Sequence, residues 1–167
     1  MKNTAKVIRE ELKKVGYNNK LISVKTKLGM EETIKITIKD TSISIKEIEE
    51  IANKHKSVRY DDNMQEQILA GGNTFIDISY DYKIMNKSSK NYFDRCKNII
   101  EDNKYNKFLA EIYKDENVKV LYSNKINSGI EHLKVEIQKE TYNYCANTYK
   151  KMAEAIIMIN ANHKIKI

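Results

Sequence analysis

The run TFIDISY at 74–80 restricts the fold of this chain more than any other stretch. Ile76, Ile78 and Tyr80 alternate with Phe75, Asp77 and Ser79, the period of a half-buried strand. Just before it, Gly71-Gly72-Asn73 can supply the positive φ angles that a tight turn needs. Ahead of the turn lie the apolar step Ile68-Leu69-Ala70 and an acidic, amide-rich segment at 61–67, DDNMQEQ. The whole stretch 58–82 therefore predicts a loop, a turn and a strand that joins the sheet built by neighbouring elements.

Two further alternations supply that sheet. Ile22, Val24, Thr26 and Leu28 fall on one side, with Ser23, Lys25 and Lys27 on the other. After a turn around Gly29, Ile34, Ile36 and Ile38 point inward, and Lys35, Thr37 and Lys39 outward. A short connection makes this pair an antiparallel hairpin with one apolar and one basic face. Helical spacing precedes it, with Val7, Ile8, Leu12 and Val15 on one face after Thr4 and Gly16 past the end. It also follows, with Ser44 and Glu47 at capping-box spacing ahead of Ile45, Ile48, Ile51 and Ala52. The fold class is α+β, small antiparallel sheets packed against helices.

The pattern lapses over 82–89, which divides the chain into domains at 1–85 and 86–167. The second domain predicts a helix to about residue 102 that buries Tyr92, Phe93, Cys96, Ile99 and Ile100. A further helical stripe takes Tyr105, Phe108, Leu109 and Ile112. Val118, Val120 and Tyr122, then Leu133, Val135 and Ile137, alternate as two strands. A final helix over 140–160 carries Tyr142, Tyr144, Cys145, Tyr149, Met152, Ile156 and Ile159. This is a second helix–strand–strand–helix order. Cys96 and Cys145, placed in helical patterns, read as buried free thiols.

A formal net charge of +7 favours an acidic partner, either nucleic acid or an acidic protein face. The balance is +2 over 1–85 (15 basic, 13 acidic) and +5 over 86–167 (15 basic, 10 acidic). Arg9, Arg59 and Arg95 are the only arginines among 30 basic residues. Lysine lacks the bidentate fork that reads guanine, so the composition argues against base-specific recognition. Lys25, Lys27, Lys35, Lys39 and Arg59 are the residues expected to contact nucleic-acid phosphates. The eleven tyrosines suit core rims, interfaces or stacking on unpaired bases.

No motif for catalysis, metal or cofactor emerges, and the expectation is a non-enzyme. His55, His132 and His163 have no second ligand three or four residues away. The calcium-loop resemblance of Asp61-x-Asn63-x-Gln65 fails, because Glu66 occupies the glycine position and Gly72 the terminal ligand position. Gly71-Gly72 is followed by a strand and lacks the Lys-Ser/Thr of a phosphate loop. Asp40, Asp61, Asp62 and Asp77 form no recognisable magnesium motif. No run is long and apolar enough for a membrane span, and the start lacks a signal-peptide pattern, so the default location is cytoplasmic.

Three segments together carry a family likeness: IREELKK at 8–14, LISVKTK at 21–27, and 58–82, ending in ILAGGNTFIDISYDY. Residues 4–82 resemble the twenty-ninth family of large polyvalent protein associated domains, found in phages and conjugative elements. The acidic loop at 61–67 departs from longer members, and the second domain resembles no family. The resemblance implies an accessory protein of a mobile element and supplies no catalytic residues. By analogy it implies an anti-CRISPR-like counter-defence protein in the bacterial host cytoplasm, which inhibits a host nuclease or CRISPR effector complex by binding it. In that setting Asp61, Asp62, Gln65, Glu66 and Asn73 are the expected contact patch, with carboxylates standing in for phosphates. The alternative is a nucleic-acid-binding accessory protein without sequence specificity.

Overall fold

A computed structural model describes residues 4–29, 31–60, 68–69, 71–105, 109–123, 132–137 and 140–167. The chain forms two compact units, 1–84 and 85–167, each with its own core.

In the first unit, α1 (Thr4–Lys14) ends as its sequence requires. Gly16, at φ 97°, donates to the Lys13 carbonyl, and Tyr17 donates to that of Leu12. These two bonds close the helix end in a Schellman motif, which needs the left-handed residue that glycine supplies. β1 (Ile22–Leu28) and β2 (Glu32–Ile38) pair antiparallel with Val24 opposite Ile36 and Lys25 opposite Lys35. α2 (Ile45–Ala52) starts on Ser44, whose hydroxyl accepts from the Glu47 amide at 3.4 Å. β3 (Thr74–Tyr80) then lies beside β2, placing Ile34 by Ile76 and Ile36 by Ile78.

The fold is α+β, with small, mostly antiparallel sheets packed against helices as expected; that last pairing is the parallel one. The chain leaves the end of β2, passes through α2, and re-enters the sheet from the far side. A crossover of this kind joins parallel neighbours, whereas a tight turn joins antiparallel ones. Ala5, Ile8 and Leu12 of α1 and Ile48 and Ala52 of α2 meet Ile22, Val24, Ile34, Ile36 and Ile38 on one sheet face. Tyr17 fastens the two helices by donating to Glu47 at 2.5 Å, and His55 meets Glu11 at 2.9 Å.

The lapse over 82–89 turns out to be a helix, α3 (Tyr82–Ser89), that starts on an Asp81 side chain accepting from the Lys83 amide. The second unit continues with α4 (Phe93–Asp102), four strands and α5 (Tyr149–His163). The strands are β4 (Ala110–Lys114), β5 (Val118–Ser123), β6 (His132–Ile137) and β7 (Glu140–Cys145), antiparallel in that order. Helix–strand–strand–helix is thus corrected at both ends of the sheet. Ile112, expected in a helical stripe, lies in β4 beyond the end of α4, where Asn103 is non-helical; Phe108 of that stripe lies outside the described residues. The first residues assigned to the final helix form β7, where Tyr142 and Tyr144 pack on the core and Thr141, Asn143 and Cys145 alternate away. The helix begins only after Thr148, whose hydroxyl accepts from the Lys151 amide. Cys145, expected buried, is therefore exposed, while Cys96 is fully buried on α4. Burial pushes the Cys96 thiol up to about 11.

Candidate nucleic-acid interface

Both helices of the first core pack on one face of the β1–β2–β3 sheet, and the opposite face carries the polar register. Strand alternation makes this unavoidable, since each inward isoleucine is followed by an outward neighbour. Across the outer face run the rows Lys27–Thr33–Phe75, Lys25–Lys35–Asp77 and Ser23–Thr37–Ser79. Lys25, Lys27 and Lys35 are exposed, and among the described residues none of their side chains makes an ion pair or hydrogen bond. Lys25 and Lys35 stand directly opposite each other, a like-charge placement that weakens an antiparallel pair. Asp77 is the acidic residue in these rows, and no salt bridge closes between it and Lys35.

The sheet of the second unit treats its outer face differently. Lys119 reaches Glu111 at 3.4 Å, and Lys134 reaches Glu136 at 2.7 Å. The Lys134 hydrogen bond, with the charges of Lys134 and Lys119, holds the Glu136 carboxyl below its usual range. Lys119 and Lys134 are thus each paired with a carboxylate of the same face, whereas Lys114, exposed and directly opposite Lys119, makes no ion pair among the described residues.

Two residues expected on the phosphate-contacting face are engaged elsewhere. Lys39 lies just beyond β2 and donates to the Asn19 carbonyl at 3.0 Å. Arg59 donates to the Gly71 carbonyl, and its guanidinium lies 3.4 Å from where a Gly72 Cβ would be. It belongs to a latch at the entrance to β3.

That latch is built around the Glu31 carboxylate. The Gly71 amide donates to one oxygen at 2.6 Å and the Asn73 amide to the other at 2.8 Å. The Asn73 side-chain amide adds a bond at 2.9 Å. Gly71 and Gly72, at φ 84° and 74°, curl the backbone so that its amides converge on an anion. The Gly71 bond, helped by Asn73 and the nearby Arg59 charge, holds the Glu31 carboxyl below the usual range. Asn73 is 1% exposed, and its side-chain Oδ1 accepts from the Arg59 backbone amide while its side-chain Nδ2 also donates to the Leu69 carbonyl. Asn73 was expected in a contact patch, but its side chain is spent on the latch. Ser57 bridges Thr74 and Tyr60 bridges Ile68, so the chain is pinned on both sides of 61–67. Asp61, Asp62, Gln65 and Glu66, the rest of that patch, lie outside the described residues.

Sequence reasoning missed Glu31 altogether. It lies 40 residues before Gly71, and no local pattern links a turn glutamate to a distant glycine pair. Among the described residues no His, Cys, Asp and Glu cluster is placed to hold a metal ion. Asp40 accepts from the amide and hydroxyl of Ser42, and Asp77 stands apart on the sheet face. His163 meets the Tyr144 hydroxyl at 3.3 Å. No described helix is long and apolar enough to cross a membrane. No family model matches this chain, and neither a curated protein nor a solved structure matches it.

Proposed function

We propose that this protein is a non-enzymatic accessory protein that binds nucleic acid, without base-sequence specificity, on the open face of its first sheet. One observation carries this reading: Lys25, Lys27 and Lys35 share an uncovered face and have no ion-pair partner among the described residues. Lysine ammonium groups displace counterions from phosphates without selecting among bases. Three phosphate contacts on a single strand give a slope of about −2 in log affinity against log salt.

The test is an anisotropy titration of a labelled oligonucleotide at two salt concentrations. Affinity that weakens with salt at that slope supports the reading. Absence of binding below about 100 μM, weaker than ordinary non-specific affinity at physiological salt, defeats it.

A second reading keeps the counter-defence inhibitor, in which the acidic segment 61–67 occupies a phosphate-binding groove of a host nuclease complex. The observation in its favour is the latch of Glu31, Arg59 and Asn73, which fixes the flanks of that segment. Co-purification of a nuclease complex from host lysate is its signature. The triple change of Asp61, Asp62 and Glu66 to Ala would abolish both capture and inhibition.

A further inference from the structure

The outer face of the first sheet is not uniformly basic, and its asymmetry bears on the form of the ligand. The lysines stand on β1 and β2, whereas β3 contributes Phe75, Asp77 and Ser79. Phe75 is the aromatic residue of these rows. Its register partner is Thr33, and it stands in line with Lys27. It is half-buried and belongs to neither core cluster, while Ile76 and Ile78 beside it pack inward. A phenylalanine on the solvent side of an edge strand contributes nothing to the core beneath the sheet.

We infer that the nucleic acid held here is single-stranded, with its phosphates over Lys25, Lys27 and Lys35 and a base stacked against Phe75. This rests on the nucleic-acid reading and specifies which form of the polymer the site selects. Three adjacent strands span about 10 Å from β1 to β3, a distance suited to one backbone with its bases turned to one side. In a duplex the base faces are stacked on each other, and an aromatic ring on a flat sheet gains no contact with them. In a single strand the faces are free, and stacking on an aromatic side chain tolerates any base.

Asp77 gives the arrangement a direction. It lies two residues from Phe75 on the same face, so its carboxylate keeps phosphates away from β3. The backbone is thereby confined to β1 and β2, which leaves the β3 side to the bases. The half-exposed hydroxyls of Ser23, Thr33, Thr37 and Ser79 between the charged groups offer donors to sugar and phosphate oxygens.

The experiment compares one mixed-sequence DNA oligonucleotide of about 12 nucleotides, alone and annealed to its complement, against the full chain. Three proteins are titrated at fixed salt: the wild type, Phe75→Leu and Lys35→Glu, each first matched for folding by circular dichroism. The wild type is expected to bind the single strand at least about tenfold more tightly than the duplex, within the range that base stacking supplies. Phe75→Leu lowers single-strand affinity about fivefold or more and leaves duplex affinity unchanged. Lys35→Glu weakens both forms. Equal affinity for the two forms, or a Phe75→Leu protein that binds the single strand like the wild type, overturns the inference while leaving the broader reading intact. If neither form binds, both fall.

Discussion

The two sheets of this protein are built on one plan and differ in how far their outward lysines are paired. Each turns a row of mostly apolar side chains toward its helices and a largely polar row away, with Phe75 on the first and Leu121 on the second as apolar members of the outward row. On the second sheet two outward lysines meet outward glutamates, Lys119 with Glu111 and Lys134 with Glu136, and Lys114 opposite Lys119 is left without an ion pair among the described residues. On the first, Lys25 and Lys35 face each other, and neither they nor Lys27 make an ion pair among the described residues. The contrast is not visible in net charge, which is larger over 86–167 than over 1–85. Formal charge counts residues, whereas a ligand meets the field left after neighbours cancel. Exposed ion pairs contribute little to stability, so the difference bears on binding far more than on folding.

The sharpest way to break this comparison is to reverse charge on each sheet in turn. Lys25→Glu with Lys35→Glu should weaken oligonucleotide binding at least tenfold, because each lost phosphate contact also removes about 0.7 from the single-strand salt slope. Lys119→Glu with Lys134→Glu, carrying the same change in net charge, should alter affinity by less than about threefold, as expected for charges already screened or paired. Equal losses from the two pairs would mean that overall charge governs binding.

The next largest effects concern the latch, which has no counterpart among the described residues of the second unit. Asn73→Ala leaves the Arg59 amide and the Leu69 carbonyl without their partner and should destabilise the first unit by about 1–3 kcal/mol. Gly72→Ala forces a side chain into a left-handed backbone and should cost about 1–2 kcal/mol. Thermal or denaturant melts of each variant measure these losses.

A pH series extends the contrast. The Glu31 carboxyl is held below its usual range in the folded chain, so the stability it contributes is complete above its unfolded value of about 4.3. That contribution is lost as pH falls through the lower folded value. Glu31→Gln should therefore melt at a lower temperature than the wild type at neutral pH, and the difference should shrink below about pH 4. A gap that persists undiminished in acid would assign the role of Glu31 to packing.

Much of this architecture was legible in the sequence. Strict alternation placed Ile22, Val24, Ile34, Ile36 and Ile38 on the core face, and the same alternation put Lys25, Lys27 and Lys35 opposite. Capping chemistry located the start of α2 at Ser44 and the end of α1 at Gly16. The edge strands β4 and β7 were not legible, because short runs of alternating apolar residues also satisfy a helical period. Tyr142, Cys145, Tyr149 and Met152 are spaced as a helix would have them, yet the chain is extended until Thr148 caps α5. The parallel pairing of β2 with β3 depends on where the chain returns, which local pattern does not encode. The latch was hidden for the same reason. Gly71-Gly72-Asn73 announced an unusual backbone, but the Glu31 carboxylate that explains it comes from the far end of the β1–β2 hairpin.

The most direct test of the central claim is an amide NMR titration of the full chain with an unlabelled single-stranded oligonucleotide. Binding on the open face predicts that the largest shifts fall on Ser23, Lys25, Lys27, Thr33, Lys35, Thr37 and Phe75, with the β5 and β6 amides near Lys119 and Lys134 unmoved. Shifts centred on the second sheet or on residues 61–67, with the β1–β2 face silent, would contradict it.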